Sequence, residues 1–280
     1  MRNIREWKST LIPYEQTVEE LKVKFKSIRK ELRELNEYSP IEFVTGRVKR
    51  VSSILEKANR REIPLDQIEE LMEDIAGLRI MCQFSNDIYK VVDLLKKRDG
   101  KDIKIVYEKD YVKYPKESGY RSYHMIIKYP VQTAFGQKEV LAELQIRTLA
   151  MNFWATIEHS LNYKYKANIP EEIKERLKKS AIAAAALDDE MTEIRKEVIN
   201  AQLLFELKSN LVSDITRNIH ILESAGRNDE ALAFQARFDC LWKSGTLEEL
   251  EDLLQEIKRV LPRYQPFRES AQDKVINFTE

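Results

Sequence analysis

The chain has 280 residues, 43% of them hydrophobic and 34% charged, and its 47 basic side chains balance its 47 acidic ones. That length and apolar share are enough to bury a core, so wholesale disorder is excluded and one large or two modest domains are expected. Zero net charge argues against a surface built throughout to attract nucleic acid or membrane. No apolar run reaches membrane-spanning length, and Met1 to Lys8 contain no apolar signal segment. Cys82 and Cys240 form no CxxC pair and no disulfide framework, which suits a reducing, cytoplasmic setting.

Residues 14–36 carry Val18, Leu21, Phe25, Ile28, Leu32 and Leu35 at alternating spacings of three and four, the stripe of a helix packed on a core or on a partner helix. Ser39-Pro40 ends it. A helix is expected over about 45–60, with Arg47, Lys49 and Arg50 near its start. Positive charge there opposes the helix dipole, so these residues are either solvated or facing an anion. A short helix entered through Pro64 fits 65–73.

Period two begins at 76–84, where Leu78, Ile80, Cys82 and Phe84 alternate with Gly77, Arg79, Met81 and Gln83. A helix over 87–98, a strand over 102–108 and a polar loop over 109–118 follow. In 119–129, Tyr120, Ser122, His124 and Lys128 oppose Tyr123, Met125, Ile127 and Tyr129. After a turn near Gly136, residues 138–147 set Val140, Ala142, Leu144 and Ile146 against Glu139, Leu141, Glu143, Gln145 and Arg147. From 148 onward the pattern is helical, over 148–166, 170–200, 202–224, 228–243 and 246–260, punctuated by Pro170, Gly226, Gly245 and Pro262. Residues 201–280 are net −4, with 10 basic and 14 acidic side chains, so the modest basic excess lies in the first 200 residues.

None of the seven glycines falls in GxGxxG or GxxxxGK[ST]. A chain without clustered glycine cannot cradle phosphates on backbone amides, so any nucleotide must be held by Arg and Lys side chains. His124, His159 and His220 are far apart, and no HExxH or Cys/His cluster is present, which argues against a zinc site. The alternating strands must pack their apolar faces on helices and leave a polar sheet face bearing Arg79, Tyr120, His124, Glu143, Gln145 and Arg147. Each of these alone reads as solvated surface. Together they hold what polyanion chemistry needs: cations for phosphate, carboxylates for Mg²⁺ and for a proton, and an aromatic face for a base.

The stretches Phe43–Lys49, Glu73–Ile80, Lys116–His124 and Glu143–Thr148, with the run Leu149–Tyr165, resemble the RelA/SpoT synthetase domain, most closely small alarmone synthetases of the RelQ type. The likeness covers about residues 10–200. It implies an α+β, nucleotidyltransferase-like fold: a mixed sheet of about five strands flanked by helices, here in residues 1–200, with 201–280 an all-helical extension. It also implies a GTP pyrophosphokinase that moves the pyrophosphate of ATP to the 3′-OH of GDP or GTP, releasing AMP, in the stringent response. By resemblance Arg47 and Arg79 hold ATP and stack its adenine, with Lys109 in the loop assisting its phosphates. Asp74 is the principal Mg²⁺ ligand. Glu143 touches Mg²⁺ and acts as base, supported by Gln145. Lys116 and His124 contact the 5′-phosphates of the acceptor, Tyr120 stacks on guanine and Asn152 reads its edge.

The resemblance further implies a homotetramer whose central cleft binds pppGpp as an allosteric activator, with Phe43 and Thr45 matching part of that cleft, and single-stranded RNA as a further partner. No hydrolase domain accompanies the synthetase motifs, so synthesis without hydrolysis is expected. Two other functions compete: a pyrophosphokinase acting on the 3′ end of tRNA, and a non-catalytic alarmone or RNA sensor. The acidic 201–280 segment disfavours the first, and the presence of both Asp74 and Glu143 disfavours the second. The extension itself is expected to pack on the synthetase or to mediate assembly. Trp154, Leu161 and Tyr165 read as core, Cys82 as inert packing and His159 as a local bridge; His220 and Trp242 receive no role.

Overall fold

A computed structural model describes residues 4–165 and 169–261; residue 166 and Pro262 of the expected helical region lie outside them. In chain order the elements are α1 (Ile4–Glu34), β1 (Phe43–Val48), α2 (Val51–Arg60), α3 (Ile68–Leu71), β2 (Ala76–Cys82), α4 (Ser85–Lys96), β3 (Lys104–Asp110), β4 (Tyr123–Thr133), β5 (Gly136–Thr148), α5 (Leu149–Lys164), α6 (Glu171–Ser224), α7 (Asn228–Ser244) and α8 (Leu247–Val260). They form two compact units that part between Ile194 and Arg195, within α6.

In the first unit the five strands make one sheet in the order β1-β2-β5-β4-β3. The β2–β5 pair is parallel and the others are antiparallel, so the sheet is mixed, as expected. Alternation along β2 and β5 sends Leu78, Ile80, Leu144 and Ile146 into the core, where each is fully buried. Tyr14, Val18, Leu21 and Phe25 of α1 and Ile88, Val91 and Leu95 of α4 belong to the same core. Burying each such large side chain contributes about 1.5–3 kcal/mol. The α1 stripe fades beyond Ile28, and Leu35 is exposed. The helix starts at Ile4, ahead of the expected residue 14, because Pro13 is accommodated inside it and Trp7 is buried upstream.

Several expectations about the strands are corrected. Residues 43–48 form a strand, not the start of a helix, and they carry Thr45 and Arg47 along the sheet edge. Tertiary pairing with β2 overrides the local helical pattern there, and Gly46 lets α1 approach, since a Cβ would meet Val18 Cγ1 at 2.8 Å. Lys109 is on β3, not in a loop. The strand expected at 119–129 runs over 123–133, so Tyr120 sits on the segment entering β4. That segment is folded tightly: Gly119 N–H donates to the Lys116 carbonyl at 2.8 Å, and Lys116 N–H donates to the Tyr120 carbonyl at 3.1 Å. Gly119 has φ +86°, and a Cβ would lie 2.6 Å from Ala181 Cβ, so only glycine fits.

In the second unit, Ile215, Ile219 and Leu222 of α6 form a separate core with Ala231 and Phe238 of α7 and Leu250, Leu253, Leu254 and Ile257 of α8. Thr246 caps α8 in a reciprocal capping box with Glu249. The two helices expected at 170–200 and 202–224 are one continuous helix. Among the described residues no helix is long and apolar enough to cross a membrane.

Candidate active site

Strand register assembles the polar face row by row. One row across the sheet reads Thr45, Arg79, Gln145, His124, Lys109, and the next reads Arg47, Gly77, Glu143, Ile126, Tyr107. Directly paired residues share a face, so the missing side chain at Gly77 leaves a gap between Arg47 and Glu143. Asp74, three residues before Gly77, borders the same cavity of about 550 Å³. Its wall also includes Thr45, Lys116, Tyr120, Gln145 and Arg147. A second cavity, of about 800 Å³, shares Arg47, Lys49, Arg79 and His159 with the first and adds Arg50, Lys57 and Arg60. The basic residues around 47–50 therefore line cavities, with Arg47 and Arg50 still exposed.

The two carboxylates are held differently. Lys49 and Lys57 both donate to Asp74 Oδ2 at 2.7 Å. Burial disfavours its charge, but the two ammonium groups outweigh burial and hold the carboxyl below its ordinary value. Its Oδ1 is buried without a hydrogen-bond partner among the described residues. Glu143 Oε1 pairs with His124 Nδ1 at 2.9 Å, and Glu143 Oε2 accepts from Gln145 Nε2 at 2.9 Å. Burial and the Asp74 charge oppose its ionisation, yet the His124 and Gln145 contacts prevail and its carboxyl too lies below the usual value.

Arg147 is not on the open face: it is 3% exposed. It lies under the site, donating to Ser122 Oγ at 3.2 Å, to Tyr120 Oη at 2.7 Å and to Gln145 Oε1. Tyr120 Oη in turn pairs with His124 Nε2 at 2.7 Å. The result is a closed ring of hydrogen bonds, Arg147–Tyr120–His124–Glu143–Gln145, in which each polar group is satisfied by the next. Burial, together with the Arg147 and Arg47 charges, pushes the Arg79 guanidinium below its ordinary value. An anion bound among these cations would offset their mutual repulsion. Lys116 Nζ lies 4.7 Å from the Tyr111 ring centroid and 4.9 Å from that of Tyr120.

The cavity thus gathers Arg47, Arg79, Asp74, Lys116, Tyr120, Glu143, Gln145 and Thr45, with His124 attached through hydrogen bonds. It does not gather all the expected residues. Lys109 Nζ sits over the Tyr107 ring at 4.8 Å, outside the lining. Asn152 and Phe43 do not line it either. Asn152 keeps a buried Oδ1 with no partner among the described residues, and Phe43 is largely exposed on β1. Residues that sequence reasoning missed are Lys57, Ser118 and Glu158; Lys57 follows the noted Arg47–Arg50 cluster by seven residues, but only the fold turns it toward Asp74. Trp154 is buried as expected, with its indole N–H donating to the Leu177 carbonyl at 2.9 Å, whereas Tyr165 is exposed. Cys82 is fully buried, and burial drives its thiol pKa well above the ordinary value, in keeping with inert packing.

A family model described as a region found in RelA / SpoT proteins matches residues 46–168, the stretch that carries this cavity. The chain is 60% identical over 204 residues to the GTP pyrophosphokinase YjbM of Bacillus subtilis, covering 73% of this chain and 95% of that protein. Among solved structures it is similar to small alarmone synthetase 1 from Bacillus subtilis bound to its product pppGpp, at 60% identity and TM-score 0.66, over 69% of this chain and 98% of that one. The same synthetase bound to AMPCPP matches at 59% identity and TM-score 0.63, over 70% and 99% of the two chains. With this identity across nearly the whole length of those relatives, the chain belongs to the RelA/SpoT family, in its small alarmone synthetase branch.

Proposed function

We propose that this chain is a (p)ppGpp synthetase that transfers the β,γ-pyrophosphate of ATP to the ribose 3′-OH of GDP or GTP and releases AMP. The observation that carries this reading is the single cavity in which Arg47, Arg79 and Lys116 face Asp74 and Glu143 across the Gly77 gap. Its support is the similarity to synthetases bound to pppGpp and to AMPCPP.

Phosphoryl transfer asks for positioning and charge neutralisation more than for covalent help. Arg47 and Arg79 supply guanidinium planes that both stack on adenine and neutralise phosphate. Lys116 and Tyr120 hold the acceptor, the first by its charge and the second by its ring. Glu143 accepts a hydrogen bond from the 3′-OH as that oxygen attacks the β-phosphorus. The bond from the β-phosphorus to the bridging oxygen breaks, AMP leaves with that oxygen, and the proton passes through Glu143 to solvent. The depressed pKa of Glu143 keeps it ionised and ready to accept, and a loose transition state does not need a strong base.

The residues present fit a Mg²⁺ ion. Asp74 Oδ1 is an open acceptor, Glu143 lies beside it, and this ion commonly takes one or two carboxylates and completes its shell with water and phosphate. When bound, it would neutralise charge on the transferred phosphates. The same reading carries assembly into a homotetramer and feedback by pppGpp through Phe43 and Thr45; sedimentation and rate curves with added pppGpp test these.

The decisive measurement is AMP release from ATP and Mg²⁺ with GDP, GTP or tRNA as acceptor. Formation of a 3′-pyrophosphorylated guanosine nucleotide is the expected result. Turnover only with tRNA, or with no acceptor, overturns the reading.

A further inference from the structure

Arg147 is buried under the site, and among the described residues its side chain donates only to uncharged groups: Ser122 Oγ, Tyr120 Oη and Gln145 Oε1. Burying a guanidinium away from any carboxylate is costly. The transfer chemistry does not use this cation, so its place needs another reason.

The donors and acceptors of the ring supply one. A guanidinium only donates, and an ionised carboxylate only accepts. Arg147 therefore starts two arms that both end at Glu143. In the shorter arm Arg147 Nη2 donates to Gln145 Oε1, which turns the other end of that amide, Nε2, to donate to Glu143 Oε2 at 2.9 Å. In the longer arm Arg147 Nη2 donates to Tyr120 Oη at 2.7 Å, which leaves the phenol proton for His124 Nε2, 2.7 Å away. An Nε2 that accepts leaves the ring proton on Nδ1, and Nδ1–H donates to Glu143 Oε1 at 2.9 Å. Flipping the Gln145 amide would set donor against donor at Arg147 and acceptor against acceptor at Glu143.

We infer that Arg147 is a positioning residue for the reaction. As the donor-only start of both arms it aims the Tyr120 hydroxyl at His124 and the Gln145 amide at Glu143, and so holds the Glu143 carboxylate in one orientation. That carboxylate offers about four lone-pair sites. The arms take one on each oxygen, and those that remain are free for the 3′-OH. The inference rests on the synthetase reading above and adds what orients its base.

Two measurements on the full-length chain test it. The first is imidazole nitrogen NMR with isotope-labelled histidine, the His124 signals being assigned with H124Q. Wild type is expected to show a protonated Nδ1 and a bare, hydrogen-bonded Nε2, and Y120F to shift the Nε2 signal. A protonated Nε2 in wild type overturns the inference, whether or not any Arg147 variant folds. The second is a kinetic cycle of R147M with Q145M, GTP being the acceptor. R147M alone is expected to lower kcat by about 10–100-fold with KM for ATP unchanged, the scale that misorienting a reacting group costs. Q145M alone is expected to lower kcat by about 10-fold, and to add little once Arg147 is gone, because the two act as one unit. Independent, multiplicative losses overturn the inference, as does a wild-type kcat in R147M or a loss that falls on KM for ATP. Wild type that releases no AMP with GDP or GTP contradicts the synthetase reading instead, a distinct result that leaves the NMR signature to be read.

Discussion

In the unit that ends at Ile194, Asp87, Arg147 and Asp188 are buried, whereas the helical unit beginning at Arg195 fills its core with aliphatic side chains and Phe238. Asn218 is the one buried polar side chain among the described residues of that second unit. Buried charge is costly unless every group is hydrogen-bonded. The first unit meets that cost at its cavity with the Arg147–Tyr120–His124–Glu143–Gln145 ring, and away from the cavity by pairing Asp87 with Tyr38 and Lys90 and Asp188 with Thr148. Among its described residues the second unit carries no such arrangement, and patterning and caps suffice to explain them. The contrast separates a region organised for chemistry from one organised for packing.

The comparison is broken most directly at Glu143. Replacing it with Gln keeps the shape and the Gln145 contact but removes the charge that accepts from the 3′-OH. AMP release is expected to fall by about 10³-fold or more, with an unchanged melt. Asp74→Asn comes next. It leaves Lys49 and Lys57 facing a neutral amide, and turnover should fall by about 10²–10³-fold, with a higher Mg²⁺ concentration needed for half-maximal rate.

Core truncations sharpen the division between units. Leu144→Ala and Leu253→Ala each remove a fully buried leucine and should each cost about 2–5 kcal/mol in chemical denaturation. The first is expected to lower ATP turnover at temperatures where the second leaves it intact. Equal loss of turnover in both would show that the units do not divide the labour as described.

The smallest effect is at Asp188. Burial, with a contribution from Asp189, raises its carboxyl to about 6, against a stabilising hydrogen bond from Thr148 Oγ1 at 2.6 Å. Below about pH 4 the folded and unfolded chains both carry this proton. Between about pH 4 and 6 the unfolded chain has lost it while the folded chain keeps it, so the contribution to stability declines over that window and is level above it. Asp188→Asn removes this slope and still accepts from Thr148. The variant should therefore gain stability relative to the wild type as pH rises from 4 to 6, measured by denaturant titration. A constant difference across that range would contradict the assignment.

Much of the site was legible in advance because strand alternation has a period of two. Once Leu144 and Ile146 face the core, Glu143 and Gln145 must face the other way, and the same logic sets Arg79 opposite Leu78 and Ile80. Residues 43–48 misled the reading because a six-residue edge strand draws its stability from β2, whose residues 76–81 pair with it from far along the chain, which local spacing does not report. Arg147 misled it for a related reason: alternation assigns a face, but not whether Tyr120 covers it.

By itself, then, the sequence determined the class of the fold, the polar face of β5 and the family motifs, all of which depend on residue type and near-neighbour spacing. Only the tertiary structure decided which cations reach Asp74, that Gly77 opens the gap between Arg47 and Glu143, that Asn152 lies off the cavity and that Glu158 borders it. These are products of strand register and of how helices close over a sheet. They arise from contacts between distant segments, whose free energy no local pattern encodes.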